Sequence, residues 1–178
     1  MRRLINGVLL TRCCFLCSNR TIIEAIRAGL VPNTIFLSSS ALDGPLGSDL
    51  QREIENNDAV KSVVWRLPEH MIARLSAVET CQGVVGIFRV TRQSELPPDM
   101  NIGLVCDGIS DPGNLGTLIR SARGLGIDAV VCTGSGSTDP YGPKCLRSSM
   151  GTAIQQPLVE TSWSHLQVIF PCAKICSI

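Results

Sequence analysis

Short apolar runs alternate with amphipathic stretches along the chain, and this alternation predicts strands and helices in turn. Apolar runs of about four to eight residues are typical of buried strands, whereas apolar residues three and four positions apart are typical of helices. The strand candidates are 15–17, 34–37, 62–65, 83–90, 102–106, 129–132 and 167–170. The helix candidates are 21–29, 48–56, 68–75 and 114–125. The pattern therefore predicts an α/β fold.

Capping residues mark the ends of the first two predicted helices. Thr21 and Glu24 have the spacing of a capping box, and Gly29 would close that helix. Gln51 would complete the cap of a second helix that begins at Ser48. These signals place both helices in the first half of the chain.

The chain divides at a proline-bearing segment. Residues 91–100, with Pro97 and Pro98, are typical of a linker. We therefore predict a small α/β domain over 1–90, a linker over 91–100 and a second domain over 101–178.

The segment from 102 to 126 predicts a β-α-β unit with a polar loop. The run 102–106 has the pattern of a strand buried on both faces, and Asp111, Pro112 and Gly113 have turn chemistry. Asn114 stands where a helix N-cap is expected. The predicted apolar stripe of this helix consists of Leu115, Leu118, Ile119, Ala122 and Leu125.

Polar candidates occupy another face of the same helix. Gly116, Arg120 and Arg123 are three and four positions apart and would stack there. A helix start with free N–H groups and nearby arginines is a candidate site for phosphate or ribose. Each residue also has a structural alternative, since Asn114 could only cap the helix and Arg120 could only pair with an acid or face solvent.

The sequence from 111 to 120, Asp-Pro-Gly-Asn-Leu-Gly-Thr-Leu-Ile-Arg, resembles the first signature of the SpoU/TrmH family of RNA ribose 2′-O-methyltransferases. The resemblance continues through 139–144 and 146–151 and is strongest to the mitochondrial ribosomal-RNA members. Residues 1–90 resemble the L30e-like RNA-binding domain of this family, at 27–30 and 82–85. The resemblance thus implies an L30e-like domain followed by a SPOUT-type parallel-sheet domain.

The same resemblance implies a reaction and its residues. S-adenosylmethionine would donate a methyl group to a ribose 2′-hydroxyl of structured RNA, ribosomal RNA in particular, and members are homodimers. Asn114 and Arg120 would be catalytic. Two roles are open to Arg120, either taking the hydroxyl proton or orienting the hydroxyl and a phosphate. The implied RNA-binding residues are Gly116, Arg123, Lys144 and Arg147.

The later family signatures, a Gly and Glu motif and a Ser-Leu-Asn motif, are not found before Ile178. In the family these segments form the donor pocket and the trefoil knot. We therefore expect an unknotted chain that does not bind S-adenosylmethionine and is inactive, with the cofactor-binding residues beyond Ile178. A truncated product, an isoform and an incomplete gene model would all give such a chain.

Charge and aromatic content restrict how RNA would be bound. The net charge is only +1, so any RNA affinity depends on locally placed basic side chains. Aromatic residues make up 4% of the chain, which argues against an extended base-stacking platform. Structured RNA contacted through backbone and ribose fits this composition better.

Nine cysteines, an odd number in mostly apolar runs, predict buried thiols in a reducing compartment. Cys14 and Cys17, with Cys172, Cys176 and His165, match no common zinc module, so we predict no metal site.

The chain begins with several arginines and has no acidic residue before Glu24, as mitochondrial import sequences do. Asn6, Gly7 and Arg12 interrupt the early apolar run, which argues against a membrane span. We therefore expect a mitochondrial protein without a membrane segment; a cytoplasmic location is the alternative.

Two other functions remain open from the sequence. A non-catalytic RNA-binding protein derived from the same family would bind RNA without the methyl donor. A nucleotide-binding Rossmann domain would use Gly134 and Gly136 after the 129–132 strand, but a third glycine and a clear following helix are missing.

Overall fold

The computed structural model describes residues 13–76, 82–90 and 95–169, and also the backbone of 4–5 and 8–9. Strands β1 (Leu4–Ile5) and β2 (Val8–Leu9) form an antiparallel pair. Most of the predicted import sequence, residues 91–94 of the predicted linker, and Cys172 and Cys176 lie outside these residues.

The first half of the chain forms a four-stranded sheet with helices. Its strands are β3 (Cys13–Leu16), β4 (Pro32–Leu37), β5 (Val64–Arg66) and β6 (Val84–Arg89), in the order β3-β6-β4-β5. Strand β6 is antiparallel to both neighbours, and β4 is parallel to β5. The helices are α1 (Asn19–Arg27), α2 (Gly44–Glu55), α3 (Asp58–Lys61) and α4 (Glu69–Leu75), and a 3₁₀ turn spans Ser39–Leu42.

The second half forms a three-stranded parallel sheet. Strands β7 (Gly103–Asp107), β8 (Ala129–Thr133) and β9 (Leu158–Glu160) lie in that order. The helices are α5 (Pro112–Gly124), α6 (Pro143–Ser148) and α7 (Trp163–Ile169), and a 3₁₀ turn spans Thr152–Ile154. The predicted α/β class and the parallel β-α-β unit are confirmed.

Gly29, with a φ of 80°, closes helix α1 as predicted, but both N-terminal caps predicted in the first half are wrong. Helix α1 begins at Asn19 because the Ser18 hydroxyl, on extended backbone, accepts the N–H of Thr21. Helix α2 begins at Gly44, four residues before Ser48, and Asp43 is its N-cap. A proline in the first turn favours this start, because its φ angle is fixed near the helical value and no N–H is needed at that position.

Three further expectations fail in the second half. Strand β7 is at the edge of its sheet, so Val105 is 38% exposed and the strand is not buried on both faces. Leu125 is 80% exposed because it is the C-cap of α5 and lies outside the apolar stripe. The strand candidate at 167–170 is instead mostly helix α7.

One continuous apolar core joins the two halves. Leu16, Ile22 and Phe88 of the first half belong to the same buried cluster as Leu115 and Leu146 of the second. The Gln155 amide also donates to the carbonyl oxygen of Glu24 over 3.4 Å. The two sheets therefore pack as neighbours, which brings α6 and its preceding loop close to β3 and α1.

Candidate nucleic-acid interface

The start of α5 is fixed by Asp111, not by Asn114. The Asp111 carboxylate accepts the backbone N–H of Asn114 over 2.8 Å, and Pro112 fills the first helical position. The Asp-Pro pair favours this arrangement because proline at that position needs no hydrogen-bond partner. The prediction that Asn114 is the N-cap is therefore wrong, and its side chain is not needed to start the helix.

Asp111 also holds α6. The Lys144 Nζ lies 3.0 Å from the second carboxylate oxygen of Asp111, although 33 residues separate them. The N–H of Asn114, and next the Lys144 ammonium, hold the pKa of Asp111 below its ordinary value. Lys144 was predicted as an RNA contact; in this structure it links α6 to the start of α5, with its side chain 65% exposed.

We expect Asp111→Ala to lower the melting temperature by about 2–4 °C, because the cap and the ion pair are both lost. Asp111→Asn keeps a capping oxygen, so its melting temperature should fall by less. The pKa of Asp111 is lower in the folded protein than its ordinary value of 3.8. The wild type should therefore be more stable than Asp111→Asn above pH 3.8, and this difference in stability should disappear as the pH falls through the lowered pKa. Thermal denaturation from pH 7 to pH 2 measures this, and an advantage that persists at pH 2 would contradict the ionic explanation.

Asn114 and Arg120 are both exposed on α5. Their six-residue separation places them about 9 Å apart along the helix axis and about 120° apart around it. Neither side chain forms a hydrogen bond or an ion pair with any residue that the structure describes. The helix therefore presents both to solvent without joining them directly.

Gly116 does not face a ligand. It is buried beneath α6, and a Cβ at this position would lie 2.6 Å from the Cys145 carbonyl oxygen and 2.9 Å from the Ser149 nitrogen. Its predicted role in contacting RNA is therefore wrong: the missing side chain lets α5 and α6 approach closely.

The other two predicted RNA contacts lie on different surfaces. Arg123 is exposed one turn beyond Arg120 on the same side of α5. Arg147 lies on α6 and lines a narrow cleft with Phe15 and Thr21 of the first half. Like Arg120, neither has an ion pair within the described ranges. Among the site residues predicted from the sequence, Arg120 and Arg123 are therefore the two basic side chains that share one exposed face of a helix.

Sequence reasoning missed two residues that position this surface. Asp111 carries the cap and the link to Lys144, and proline directly after it was the signal that could have identified it. Asp128 accepts the backbone N–H groups of Asn101 and Ile102, which lowers its pKa and fixes the entrance to β7. Its position before β8 gives no comparable local signal.

The glycines of the Rossmann alternative do not open a helix. Gly134 and Gly136 both have positive φ angles, of 84° and 87°, in a turn after β8. The next helix begins only at Pro143, so no helix N-terminus follows these glycines as nucleotide binding would require. The structure contradicts this alternative.

Within the described part of the chain, no group of three or more metal-ligating side chains converges. His165 instead lies 2.8 Å from the Thr161 hydroxyl, measured from Nδ1. No helix among the described residues is both long and apolar enough to cross a membrane.

Residues 101–169 match the SpoU rRNA Methylase family. The chain is 33% identical over 159 residues to mitochondrial rRNA methyltransferase 3 of Mus musculus, covering 83% of this chain and 36% of the relative. It is 35% identical over 95 residues to the 23S rRNA (guanosine(2553)-2'-O)-methyltransferase RlmP of Bacillus subtilis, covering 53% of this chain and 37% of that protein.

Solved structures share the fold. An rRNA methyltransferase from Sinorhizobium meliloti superposes with a TM-score of 0.73 at 23% identity, over 92% of this chain and 60% of that one. The structure of this methyltransferase with bound AdoMet (S-adenosylmethionine) superposes with a TM-score of 0.71 over 59% of that chain.

Residues 101–169 therefore form a methylase domain of the SpoU family, homologous to mitochondrial rRNA methyltransferase 3 and bacterial RlmP. The chain spans about a third of the length of these curated relatives.

Two of the solved structures that share this fold, an rRNA methyltransferase from Sinorhizobium meliloti and AviRb from Streptomyces viridochromogenes, contain bound AdoMet. Two cavities, of about 20 and 200 Å³, lie between the two halves of the chain. Neither is lined by a residue of α5 or of the loop before it.

Proposed function

We propose that the protein acts in methylation of ribose 2′-hydroxyl groups in ribosomal RNA, and that the exposed face of α5 meets the RNA. The observation that carries this proposal is the pair Arg120 and Arg123. Both are exposed, and neither is neutralised by an ion pair within the described ranges. Arginines that no internal acid occupies are available for phosphate oxygens.

Helix α5 is well suited to present these arginines. Its start is fixed by Asp111, and its buried face, Leu115, Gly116 and Ile119, packs closely against the sheet and α6. A rigid element holds contact groups more precisely than a loop does. The position of Arg120 relative to the RNA is therefore set by the fold and not by the RNA alone.

The chemistry of the guanidinium decides between the two roles open to Arg120. A guanidinium has donors in a fixed planar fork and no acceptor, so it orients oxygens and does not take up a proton. We assign Arg120 to orienting the ribose hydroxyl and an adjacent phosphate. The exposed Asn114 amide, six residues earlier, would contact the ribose itself. S-adenosylmethionine would supply the methyl group.

Further parts of the proposal rest on the relatives. The relatives from mouse, human and Xenopus laevis are named mitochondrial rRNA methyltransferase 3, which supports a mitochondrial location and an rRNA substrate. We also propose the homodimer that the family resemblance implies. A non-catalytic RNA-binding role is the second candidate, since the two exposed arginines of α5 would contact RNA with or without a bound methyl donor.

RNA binding by the 178-residue chain tests the α5 face. We expect Arg120→Ala with Arg123→Ala to weaken binding of a structured rRNA fragment. The slope of log affinity against log salt should also fall by between about 1 and 2 units, because two phosphate contacts are lost. Fluorescence anisotropy between 50 and 200 mM salt measures both quantities.

A matched control removes the same charge elsewhere. Arg27 and Arg52 are exposed but paired with Glu53 and Asp49, so Arg27→Ala with Arg52→Ala changes the net charge equally. The proposal expects the control to keep the wild-type slope. Equal slopes for the two double variants would show that only net charge matters and would sink the assignment of α5.

A further inference from the structure

Trp65 is an aromatic side chain that lies mostly in solvent, with 60% of its surface exposed. It belongs to β5, the outer strand of the first sheet, where its registered neighbour on β4 is Phe36. Registered residues of adjacent strands point to the same face of a sheet. Phe36 packs there against the buried cluster that contains Ile72 of α4. The Trp65 ring therefore lies on the face that α4 covers, at the open edge of the sheet.

Helix α4 carries an exposed cation on this face. Met71 and Arg74 are both exposed, and their three-residue separation places them on the same side of the helix. Arg74 has no ion pair with any residue that the structure describes. The one acid of α4, Glu69, instead accepts the Ser40 hydroxyl over 3.2 Å. The Arg74 guanidinium is therefore available to an anion outside the chain.

Two more cations flank Trp65 along the chain. Lys61 of α3 and Arg66 of β5 are exposed, and neither has an ion pair within the described part of the chain. Residues 57–76 carry three basic and two acidic side chains, apart from one histidine. The edge therefore combines an exposed aromatic ring with a small excess of positive charge, which favours an anionic partner.

We infer that this edge binds an unpaired nucleotide of an RNA strand, with the base stacked on Trp65 and the adjoining phosphate held by Arg74. Every base has a π face, so an aromatic side chain can stack any of them, and arginine is a frequent partner of phosphate oxygens. Lys61 and Arg66 add attraction along the edge. RNA as the source of the nucleotide rests on the proposed function. One stacking residue also agrees with an aromatic content of only 4%.

The length of β5 argues against an acidic protein segment at the same place. A peptide that docks at a sheet edge adds a strand through backbone hydrogen bonds. Strand β5 has three residues, fewer than the five or six of an ordinary strand, so few such bonds could form. Stacking on Trp65 and a phosphate contact need no backbone ladder.

The site is separate from the α5 face. Strands β3 and β5 are the two edges of the first sheet, and residues of β3 line the narrow cleft with α6. Three strand spacings, roughly 14 Å in all, separate β5 from that cleft. Loss of the Trp65 contact should therefore weaken only RNA that offers an unpaired base, and should leave paired RNA on α5 unaffected.

Intrinsic fluorescence reports on Trp65 directly. The chain has two tryptophans, so Trp163→Phe leaves Trp65 as the only tryptophan emitter. We expect the fluorescence of this variant to be quenched saturably by oligoadenylate and by an RNA hairpin with an oligoadenylate tail, but not by the blunt hairpin. The tailed hairpin should bind roughly 5- to 150-fold more tightly than the blunt one.

Variants of Trp65 test the stacking contact. Trp65→Ala should remove the preference for the tailed hairpin, whereas Trp65→Phe keeps a stacking ring and should retain most of it. Arg74→Ala should lower the preference because the phosphate contact is lost. Val168→Ala truncates another exposed side chain, on α7, and should leave the preference unchanged. Circular dichroism checks that each variant is folded. An unchanged preference in Trp65→Ala, or an equal loss in Trp65→Phe, overturns the inference.

The outcomes separate the two proposals. Affinity for the blunt hairpin, and its dependence on Arg120 and Arg123, reports on the α5 face alone. If neither hairpin binds, the proposed RNA interface fails, and the oligoadenylate titration still decides the Trp65 site. Saturable quenching by oligoadenylate supports the inference, and no quenching rejects it. Quenching by a polyglutamate peptide but not by oligoadenylate identifies an acidic protein partner and also overturns the inference.

Discussion

Gly116→Ala is expected to destabilise the protein by about 1–3 kcal/mol, which corresponds to a fall of roughly 2–12 °C in melting temperature. A Cβ here would lie well inside contact distance of two backbone atoms, the Cys145 carbonyl oxygen of α6 and the nitrogen of its C-cap, Ser149. The Ser148 side chain could rotate away, but the backbone atoms can move only if α6 separates from α5. The pair would then expose part of the core around Ile119.

Gly124→Ala is the matched control on the same helix. No atom lies within 4 Å of a Cβ at Gly124, and the residue has helical backbone. Alanine has a higher helix propensity than glycine, so this variant should be neutral or more stable by up to about 1 kcal/mol. Thermal or urea denaturation compares the two. If Gly116→Ala were as stable as Gly124→Ala, the close packing of α5 on α6 would be incorrect.

The contrast between these glycines shows where sequence reasoning stops. The strands and the amphipathic α5 follow from local periodicity, because each element must bury one side against the next. Gly116 and Gly124 look alike in that pattern. Only the approach of α6, some thirty residues later, separates a glycine required for packing from one that merely ends a helix.

Local signals also competed at the start of α5. Asp111 and Asn114 are both strong N-cap residues, and the proline between them decides in favour of Asp111. The ion pair between Asp111 and Lys144 joins residues distant in sequence, so no spacing rule could have predicted it. Lys144 was therefore assigned to RNA when its charge already has an internal partner.

The site residues fall into two groups for the same reason. Arg120 and Arg123 were predicted on the face away from the apolar stripe, and both are exposed, whereas Gly116 of the same predicted face is buried beneath α6. The cavity of about 200 Å³ between the two halves could not be predicted, since it forms only where they pack together. The exposure of side chains on one helix can be predicted from the sequence, whereas a cavity or contact between two elements can be identified only from the folded structure.

Arg120→Ala is expected to lower kcat for ribose methylation by about 100-fold or more, in whichever form of the protein methylates RNA. A donor that orients the reacting oxygen is typically worth about 10²–10³ in rate. Arg120→Lys should not restore kcat, because an ammonium lacks the planar fork that holds two oxygens at once. Arg123→Ala should instead raise KM with kcat little changed, since its assigned contact is with phosphate only.

Stability measurements separate a loss of catalysis from a loss of folding in these variants. The Arg120 side chain has no ion pair within the described ranges, and the Asn114 side chain does not cap the helix. Arg120→Ala and Asn114→Ala should therefore keep the melting temperature within about 1–2 °C of the wild type, as exposed substitutions usually do. Transfer of a radiolabelled methyl group to RNA under single-turnover conditions gives the rate. Retention of wild-type kcat by Arg120→Ala would remove Arg120 from the reaction and reduce the α5 face to RNA binding alone.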